Sequence, residues 1–204
     1  WVQVVLGGPA DAAALTEMPF DHIFFTGGTE TGRKVMRAAA EHLTPLTLEM
    51  GGKSPAIIDC TVPPAQVAKR LAWGKALNAG QVCIAPDYLL VEEGAVEPLV
   101  SALVSRWDQC FTSDVQSSEE YGRIVNDQQF QRLKDTLEDA LDKGVKLIHG
   151  GKWDAKSRFM EPTILGEVTM DMRVMQEEVF GPLLPVLTWK DPSAVVDTIA
   201  QVKD

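Results

Sequence analysis

Apolar positions recur along the chain in short blocks, and their spacing alternates between the periods expected for strands and for helices. β-Branched and aromatic runs that end at glycine or proline predict strands, whereas apolar residues three and four positions apart predict helices. Strands are predicted at residues 2–6, 20–25, 44–49, 54–59, 88–91, 146–149, 160–165 and 183–189. Helices are predicted at residues 10–18, 33–42, 63–78, 96–111, 127–143 and 198–204. Strands and helices that alternate in this way predict an α/β fold whose sheet is covered on both faces.

Length and charge narrow the classes of protein that fit this pattern. The chain has 204 residues, of which 45% are hydrophobic, so it can bury a sizeable core. Its formal net charge is -10, and binding to nucleic acid needs clustered lysine and arginine to neutralise phosphates. No apolar segment is long enough to span a bilayer. We therefore expect no nucleic-acid partner and no membrane segment in this chain.

Cysteine and histidine usage favours a reducing compartment. Cys60, Cys83 and Cys110 are widely spaced and form no CxxC pair, which argues against both a disulfide framework and a zinc site. The three histidines show no spacing typical of metal ligands. We predict a cytoplasmic protein without a bound metal. Because the sequence starts with Trp1 and not with methionine, we also expect it to be part of a longer protein.

The turn at residues 27–32, called the glycine turn below, joins a predicted strand to a predicted helix. Glycines there let backbone N–H groups approach a phosphate, and Thr29 could cap the helix that follows. The turn is not a Walker loop, because Arg33 follows the last glycine, and a GxGxxG pattern would need glycine at position 29. These residues alone fit a nucleotide site and a plain turn equally well.

Residues 78–86, called the thiol turn below, present Cys83 between a predicted helix and a predicted strand. Gly80 can end the helix because glycine adopts the left-handed conformation without a steric cost. We expect the turn to expose Val82 and Cys83. A thiol reacts as the thiolate and so needs a lowered pKa or a nearby base. A single cysteine in such a setting is more often a small buried hydrophobic residue.

Two further motifs change that interpretation. Residues 48–55 place Glu49 beside a double glycine, and residues 177–182 form an acidic turn with an aromatic residue. Together with the thiol turn, in this order, they resemble the aldehyde dehydrogenase superfamily, and the resemblance covers nearly the whole chain. Residues 25–32 also match that family's Phe-Thr-Gly-Ser-Thr-x-x-Gly turn, except that Gly28 replaces serine.

The resemblance implies a domain organisation and a role for each motif. It predicts part of a Rossmann-like dinucleotide-binding domain at residues 1–48 and a catalytic domain at residues 49–204 that is truncated at its C-terminus. Cys83 would be the nucleophile and Glu49 the general base that activates the hydrolytic water. NAD or NADP would contact Gly27, Gly28, Thr29, Gly32, Met50, Glu178 and Phe180.

Residues 20–27 and 81–88 most resemble the class 3 branch of the superfamily, which includes coniferyl and fatty aldehyde dehydrogenases. The resemblance implies an aromatic or a medium- to long-chain aliphatic aldehyde as substrate and a homo-oligomer, either a dimer or a tetramer. The family's oxyanion asparagine comes from a motif that this sequence does not contain, so we predict that the isolated chain is inactive. Two alternatives stay open, a non-catalytic packing module and a cysteine hydrolase or acyltransferase.

Overall fold

The computed structural model describes residues 1–112 and 114–202. These residues form two compact units, Trp1–Gly51 and a larger second unit that begins at Gly52. The boundary predicted from the sequence lies three residues earlier, between positions 48 and 49. The assignment of the first unit to cofactor binding and of the second to catalysis stays a prediction.

The first unit is a small parallel βαβ arrangement preceded by a helix. It contains α1 (Pro9–Thr16), β1 (Ile23–Gly27), α2 (Thr29–Ala40) and β2 (Leu46–Met50). Strands β1 and β2 pair in parallel, with Ile23 opposite Leu46 and Gly27 opposite Met50. Helix α2 connects these two parallel strands, so β1, α2 and β2 form a βαβ unit.

The strand predicted at residues 2–6 is wrong. These residues have no regular secondary structure, and Leu6 is 90% exposed. A strand is stable only where a neighbouring strand supplies its hydrogen bonds, and within the described residues β1 pairs with β2 alone. The β-branched residues of this segment favour an extended backbone, but no strand among the described residues pairs with it.

The second unit contains the remaining elements. Its helices are α3 (Pro64–Ala76), α4 (Val96–Phe111), α5 (Asp127–Asp142), α6 (Arg173–Gln176) and α7 (Pro192–Gln201). Its strands are β3 (Pro55–Ile58), β4 (Tyr88–Glu92), β5 (Lys146–His149), β6 (Trp153–Asp154), β7 (Phe159–Met160), β8 (Thr163–Gly166) and β9 (Leu183–Trp189). Strands β3, β4, β9, β8 and β5 form one sheet in that order, and β5 is antiparallel to its neighbour. Strands β6 and β7 pair separately.

The core of the second unit lies on this sheet. Residues 88–91 of β4 are at most 1% exposed, as expected for a parallel strand with both faces covered. Helix α4 contributes Leu99, Leu103 and Trp107, which lie four positions apart and so form one apolar face. The predicted α/β class is confirmed.

Several element bounds differ from the predictions for local reasons. The strand predicted at 160–165 divides into β7 and β8 around Pro162, which has no N–H to donate to a ladder. The short elements β6 and α6 were not predicted, since two and four residues carry little periodicity. Helix α7 (Pro192–Gln201) includes residues 198–201 of the segment predicted to be helical, and Lys203 and Asp204 lie outside the described residues. Among the described residues, no helix has the length and apolar character of a membrane span.

Candidate active site

The glycine turn leads into α2 through an exposed Gly28. Gly28 precedes α2 with extended backbone angles of φ -73° and ψ 149°, and its carbonyl oxygen accepts from the N–H groups of Thr31 and Gly32 at 3.0 Å each. The first N–H groups of a helix have no partner within it and lie at its positive end. A Cβ added at Gly28 would meet nothing within 4 Å. The N-terminal end of α2 is therefore exposed, which an anion site at this turn would require.

Thr29 does not cap this helix, contrary to the sequence prediction. Gly28 occupies the capping position, and Thr29 is the first residue of α2. A capping residue keeps an extended backbone while its side chain accepts from the first turn. Gly28 has the required backbone but no side chain, so the structure has no side-chain cap here.

The carboxyl ends of the two strands of the first unit carry Gly27, Glu49 and Met50. The Met50 side chain packs on Gly32, because a Cβ added there would lie 2.1 Å from Met50 Cε. Glu49 is exposed and lies opposite Thr26 in the strand register. Ligands of open α/β sheets bind outside the carboxyl ends of the strands.

The thiol turn exposes Cys83 through an unusual backbone path. Helix α3 ends at Ala76, and Asn78, Ala79 and Gly80 then have φ values of 51°, 54° and 75°. The prediction of a left-handed Gly80 is confirmed, although the helix ends earlier than predicted. Cys83 is exposed, so it does not behave as a small buried hydrophobic residue.

Gln81 holds the thiol turn in place. Its side-chain nitrogen donates to the carbonyl oxygens of Asn78 at 2.8 Å and Arg123 at 3.0 Å, and its side-chain oxygen accepts from the Val125 N–H at 3.0 Å. A left-handed residue other than glycine costs roughly 1–2 kcal/mol. These part-buried bonds offset that cost for Asn78 and Ala79. Sequence reasoning missed this role because Arg123 and Val125 lie more than 40 positions away.

The acidic motif at residues 177–182 packs directly against the thiol turn. A Cβ added at Gly80 would lie 2.2 Å from the Gly181 carbonyl oxygen, so the two backbones touch where neither has a side chain. Phe180 has a left-handed φ of 42°. Glu178 is half-buried, and burial raises the pKa of its carboxyl group while a hydrogen bond from the Gly52 backbone opposes that shift. The structure thus brings together the Cys83 and Phe180 motifs.

A buried ion pair, which sequence reasoning did not single out, lies under these two motifs. Lys53 and Asp87 are 6% and 4% exposed, and Lys53 Nζ pairs with Asp87 Oδ2. Lys53 Nζ also donates to the Val174 carbonyl oxygen at 2.8 Å. Asp87 Oδ1 accepts the Val179 N–H at 2.8 Å. Both carboxylate oxygens of Asp87 are therefore used.

A second lysine, Lys75, is buried next to this pair. It is 1% exposed, and burial lowers the pKa of its ammonium group to about 8, although the negative charges of Asp87 and Glu178 act in the opposite direction. Lys75 follows Ala68 and Leu71 on the buried face of α3. The sequence alone could have indicated that Lys75 is buried, because this lysine lies at helical spacing from apolar residues of α3.

None of the contacts described for the three histidines involves Cys83. His149 lies against Trp107 with ring centroids 5.9 Å apart. In the first unit His22 bonds to Thr47 and His42 to a backbone carbonyl. No described contact therefore supports the thiol and imidazole pair that a cysteine hydrolase would need.

Comparison with known proteins identifies the class to which these motifs belong. The model of the aldehyde dehydrogenase family matches residues 1–202. This chain belongs to the aldehyde dehydrogenase family.

Individual relatives refine this assignment. The chain is 45% identical over 196 residues to aldehyde dehydrogenase family 3 member B1 from Homo sapiens. The matched region is 96% of this chain and 41% of that protein. It is 48% identical over 189 residues to the probable coniferyl aldehyde dehydrogenase of Pseudomonas aeruginosa. The matched region is 93% of this chain and 39% of that protein. These relatives confirm the class 3 resemblance.

A solved structure is similar to this chain in both sequence and fold. The substrate-bound state of Staphylococcus aureus AldH matches with a TM-score of 0.90 and 42% identity, over 98% of this chain and 43% of that one. The chain thus spans about two fifths of the length of the proteins that it matches.

Proposed function

We propose that the protein containing this chain is an NAD(P)-dependent aldehyde dehydrogenase that oxidises an aldehyde to a carboxylic acid. The observation that carries the proposal is the contact between the thiol turn and the acidic motif. Gly80 and Gly181 meet backbone to backbone, which places the segment of an exposed Cys83 against the segment of Glu178 and Phe180. Family membership supports the reaction class.

In this proposal Cys83 attacks first. Its thiolate adds to the aldehyde carbonyl and forms a thiohemiacetal, and the Cys83 backbone N–H is a candidate oxyanion donor. The side-chain amide of Asn78 donates to the Gln81 carbonyl oxygen at 3.2 Å, so we do not assign it to the oxyanion. Bound NAD or NADP supplies the hydride acceptor that allows the thioester to form. Glu49 then deprotonates the water that hydrolyses the thioester.

The residues present fit such a cofactor. In this proposal the pyrophosphate lies at the glycine turn, against the backbone of Gly27 and Gly28 and the exposed N-terminus of α2 at Thr29. Gly32 and Met50 form the packed base of the same turn. In the second unit we assign cofactor contacts to Glu178 and Phe180.

We also propose a class of substrate, an oligomeric state and a cellular location. The class 3 relatives favour an aromatic or a medium- to long-chain aliphatic aldehyde. We propose a cytoplasmic homo-oligomer, a dimer or a tetramer, and we expect the isolated 204-residue chain to be inactive. Assays therefore need the product of the complete reading frame.

The thiol is tested by replacing each cysteine in turn. We expect Cys83→Ser to lower the rate of NAD(P)⁺ reduction by at least about 10³-fold, because a serine hydroxyl is far less ionised than a thiol at neutral pH. Cofactor affinity, measured by fluorescence titration, should change little. Cys60→Ser and Cys110→Ser, which replace the other two exposed cysteines, are the matched controls. Substantial turnover by Cys83→Ser would remove Cys83 from the nucleophile role.

The base is tested by separating the two half-reactions. Glu49→Gln should still release a burst of reduced cofactor close to one equivalent and then stall, since water attack follows hydride transfer. Rapid-mixing absorbance measures the burst, and intact-mass analysis detects the trapped acyl-enzyme. Glu41→Gln, which replaces an exposed carboxylate in the same unit, is the control. Equal loss of the burst and of steady turnover would assign Glu49 to an earlier step.

A further inference from the structure

The buried pair of Lys53 and Asp87 joins chain segments that are distant in the sequence. Asp87 lies four positions after Cys83, and its Oδ1 accepts the N–H of Val179, the residue that follows Glu178. Its Oδ2 pairs with Lys53, which also donates to the Val174 carbonyl oxygen. One carboxylate therefore links the thiol turn to the segment that carries Glu178.

This link is stiff. Both charges are buried, and charge-assisted hydrogen bonds are strong in a low-dielectric interior. The connection from Asp87 back to Cys83 is short, because the Ala85 N–H bonds to the Val82 carbonyl oxygen at 3.0 Å. Pro86 restricts the backbone directly before Asp87. A displacement at Val179 would thus be transmitted to the thiol turn.

A second anchor holds the same segment from another side. Arg132 of α5 donates to the carbonyl oxygens of Val179 at 2.7 Å and Glu178 at 3.3 Å. Arg132 fixes the segment to α5, whereas Asp87 fixes it to the residues that follow Cys83. A variant of Arg132 therefore weakens the attachment of the segment to α5, whereas a variant of Asp87 weakens its connection to the thiol turn.

We propose that Asp87, held by Lys53, is a positioning residue that couples cofactor binding at Glu178 to the orientation of the Cys83 thiol. The inference rests on the proposed function, since it requires a cofactor that contacts the Glu178 segment. It adds a role for two residues to which neither the motifs nor the family match assigns one.

The coupling is measured as the rate at which iodoacetamide alkylates Cys83, with and without saturating NAD⁺ or NADP⁺, in the product of the complete reading frame. Peptide mass spectrometry resolves the three cysteines. We expect the cofactor to change the Cys83 rate by about tenfold, within the usual range of coupling between two sites. Cys60 and Cys110 serve as internal references and should change less than about twofold.

A matched pair of double variants isolates the link. Lys53→Met with Asp87→Asn removes both buried charges but keeps an acceptor for the Val179 N–H. Lys53→Met with Asp87→Ala removes the charges and the acceptor. We expect the first to retain most of the cofactor effect on Cys83 and the second to lose it. Arg132→Gln should weaken cofactor binding yet keep the Cys83 response at saturation.

The outcomes separate this inference from the proposed function. An equal Cys83 response in both double variants would overturn the link through Asp87, even if the wild type oxidises aldehydes normally. A wild type that reduces neither NAD⁺ nor NADP⁺ with any aromatic or aliphatic aldehyde would overturn the proposed function and the coupling with it.

Hydrogen exchange on the wild type decides the question if the alanine variant does not fold. The coupling predicts that cofactor protects the amides of residues 177–181 and 78–87 together. Protection of residues 177–181 alone would contradict it.

Discussion

The glycine turn and the thiol turn both place chemistry at the junction of a strand and a helix, but different contacts form them. Hydrogen bonds within four residues define the glycine turn, and the space beside Gly28 is open. The thiol turn depends on Arg123 and Val125, which bond to Gln81, and on Gly181, which touches Gly80. Position 28, where local bonds define the backbone and the space is open, should tolerate substitution, whereas position 80, which distant contacts surround, should not.

The largest effect in this comparison is expected for Gly80→Ala. The added methyl group would overlap the Gly181 carbonyl oxygen, and alanine would have to adopt φ 75°. Overpacking costs about 1–3 kcal/mol and a left-handed alanine about 1–2 kcal/mol, so we expect a loss of about 4 kcal/mol. Denaturant unfolding measures the loss. Gly74→Ala in α3, where the new methyl meets Pro86 at an ordinary 3.4 Å, is the control and should not destabilise.

Lys75→Met tests the burial of charge beneath the thiol turn. The pKa of Lys75 is about 8 in the folded state against 10.5 for an ordinary lysine, so the folded state binds protons less well than the unfolded state. The stability contribution of this group is present above pH 10.5 and is lost as the pH falls through about 8. A shift of this size at about 1.4 kcal/mol per unit means that Lys75→Met should be more stable by roughly 3 kcal/mol at pH 7.

The measurement for Lys75 is the difference in unfolding free energy between variant and wild type from pH 7 to pH 10.5. The difference should shrink as the pH rises through this range. Lys69→Met, on the exposed side of the same helix, should show no such trend. A pH-independent difference for Lys75→Met would indicate an effect of packing alone.

The smallest effect is expected for Gly28→Ser in the glycine turn. Gly28 already has an extended backbone and open space beside it, so serine should fit and cap α2. Serine in place of glycine at this position is worth only a few tenths of a kcal/mol, whereas serine in place of alanine is worth about 1 kcal/mol. Thermal unfolding of Gly28→Ser and Gly28→Ala compares the two. Equal stabilities would show that no capping bond forms.

Predicted and observed elements agree where nearby residues define the element, and they differ where distant contacts decide it. The predicted bounds of α4, β5 and β9 are confirmed to the residue, because their periodicity is strong and their ends carry clear signals. The strand predicted at residues 2–6 is wrong because pairing, not composition, creates a strand. Thr29 was expected to cap α2, but the backbone placed Gly28 at that position.

The sequence by itself determined the family, the order of the motifs and the identity of Cys83 as an exposed thiol, since these depend on residues close together in the chain. Tertiary structure alone decided which motifs meet. Gly80 touches Gly181 across 101 positions, and Asp87 accepts the N–H of Val179 across 92. Side chains such as Gln81, Asp87 and Lys75 acquire their roles from burial and from partners elsewhere in the chain. Local periodicity contains no information about those partners, because hydrogen bonds and desolvation depend on three-dimensional proximity.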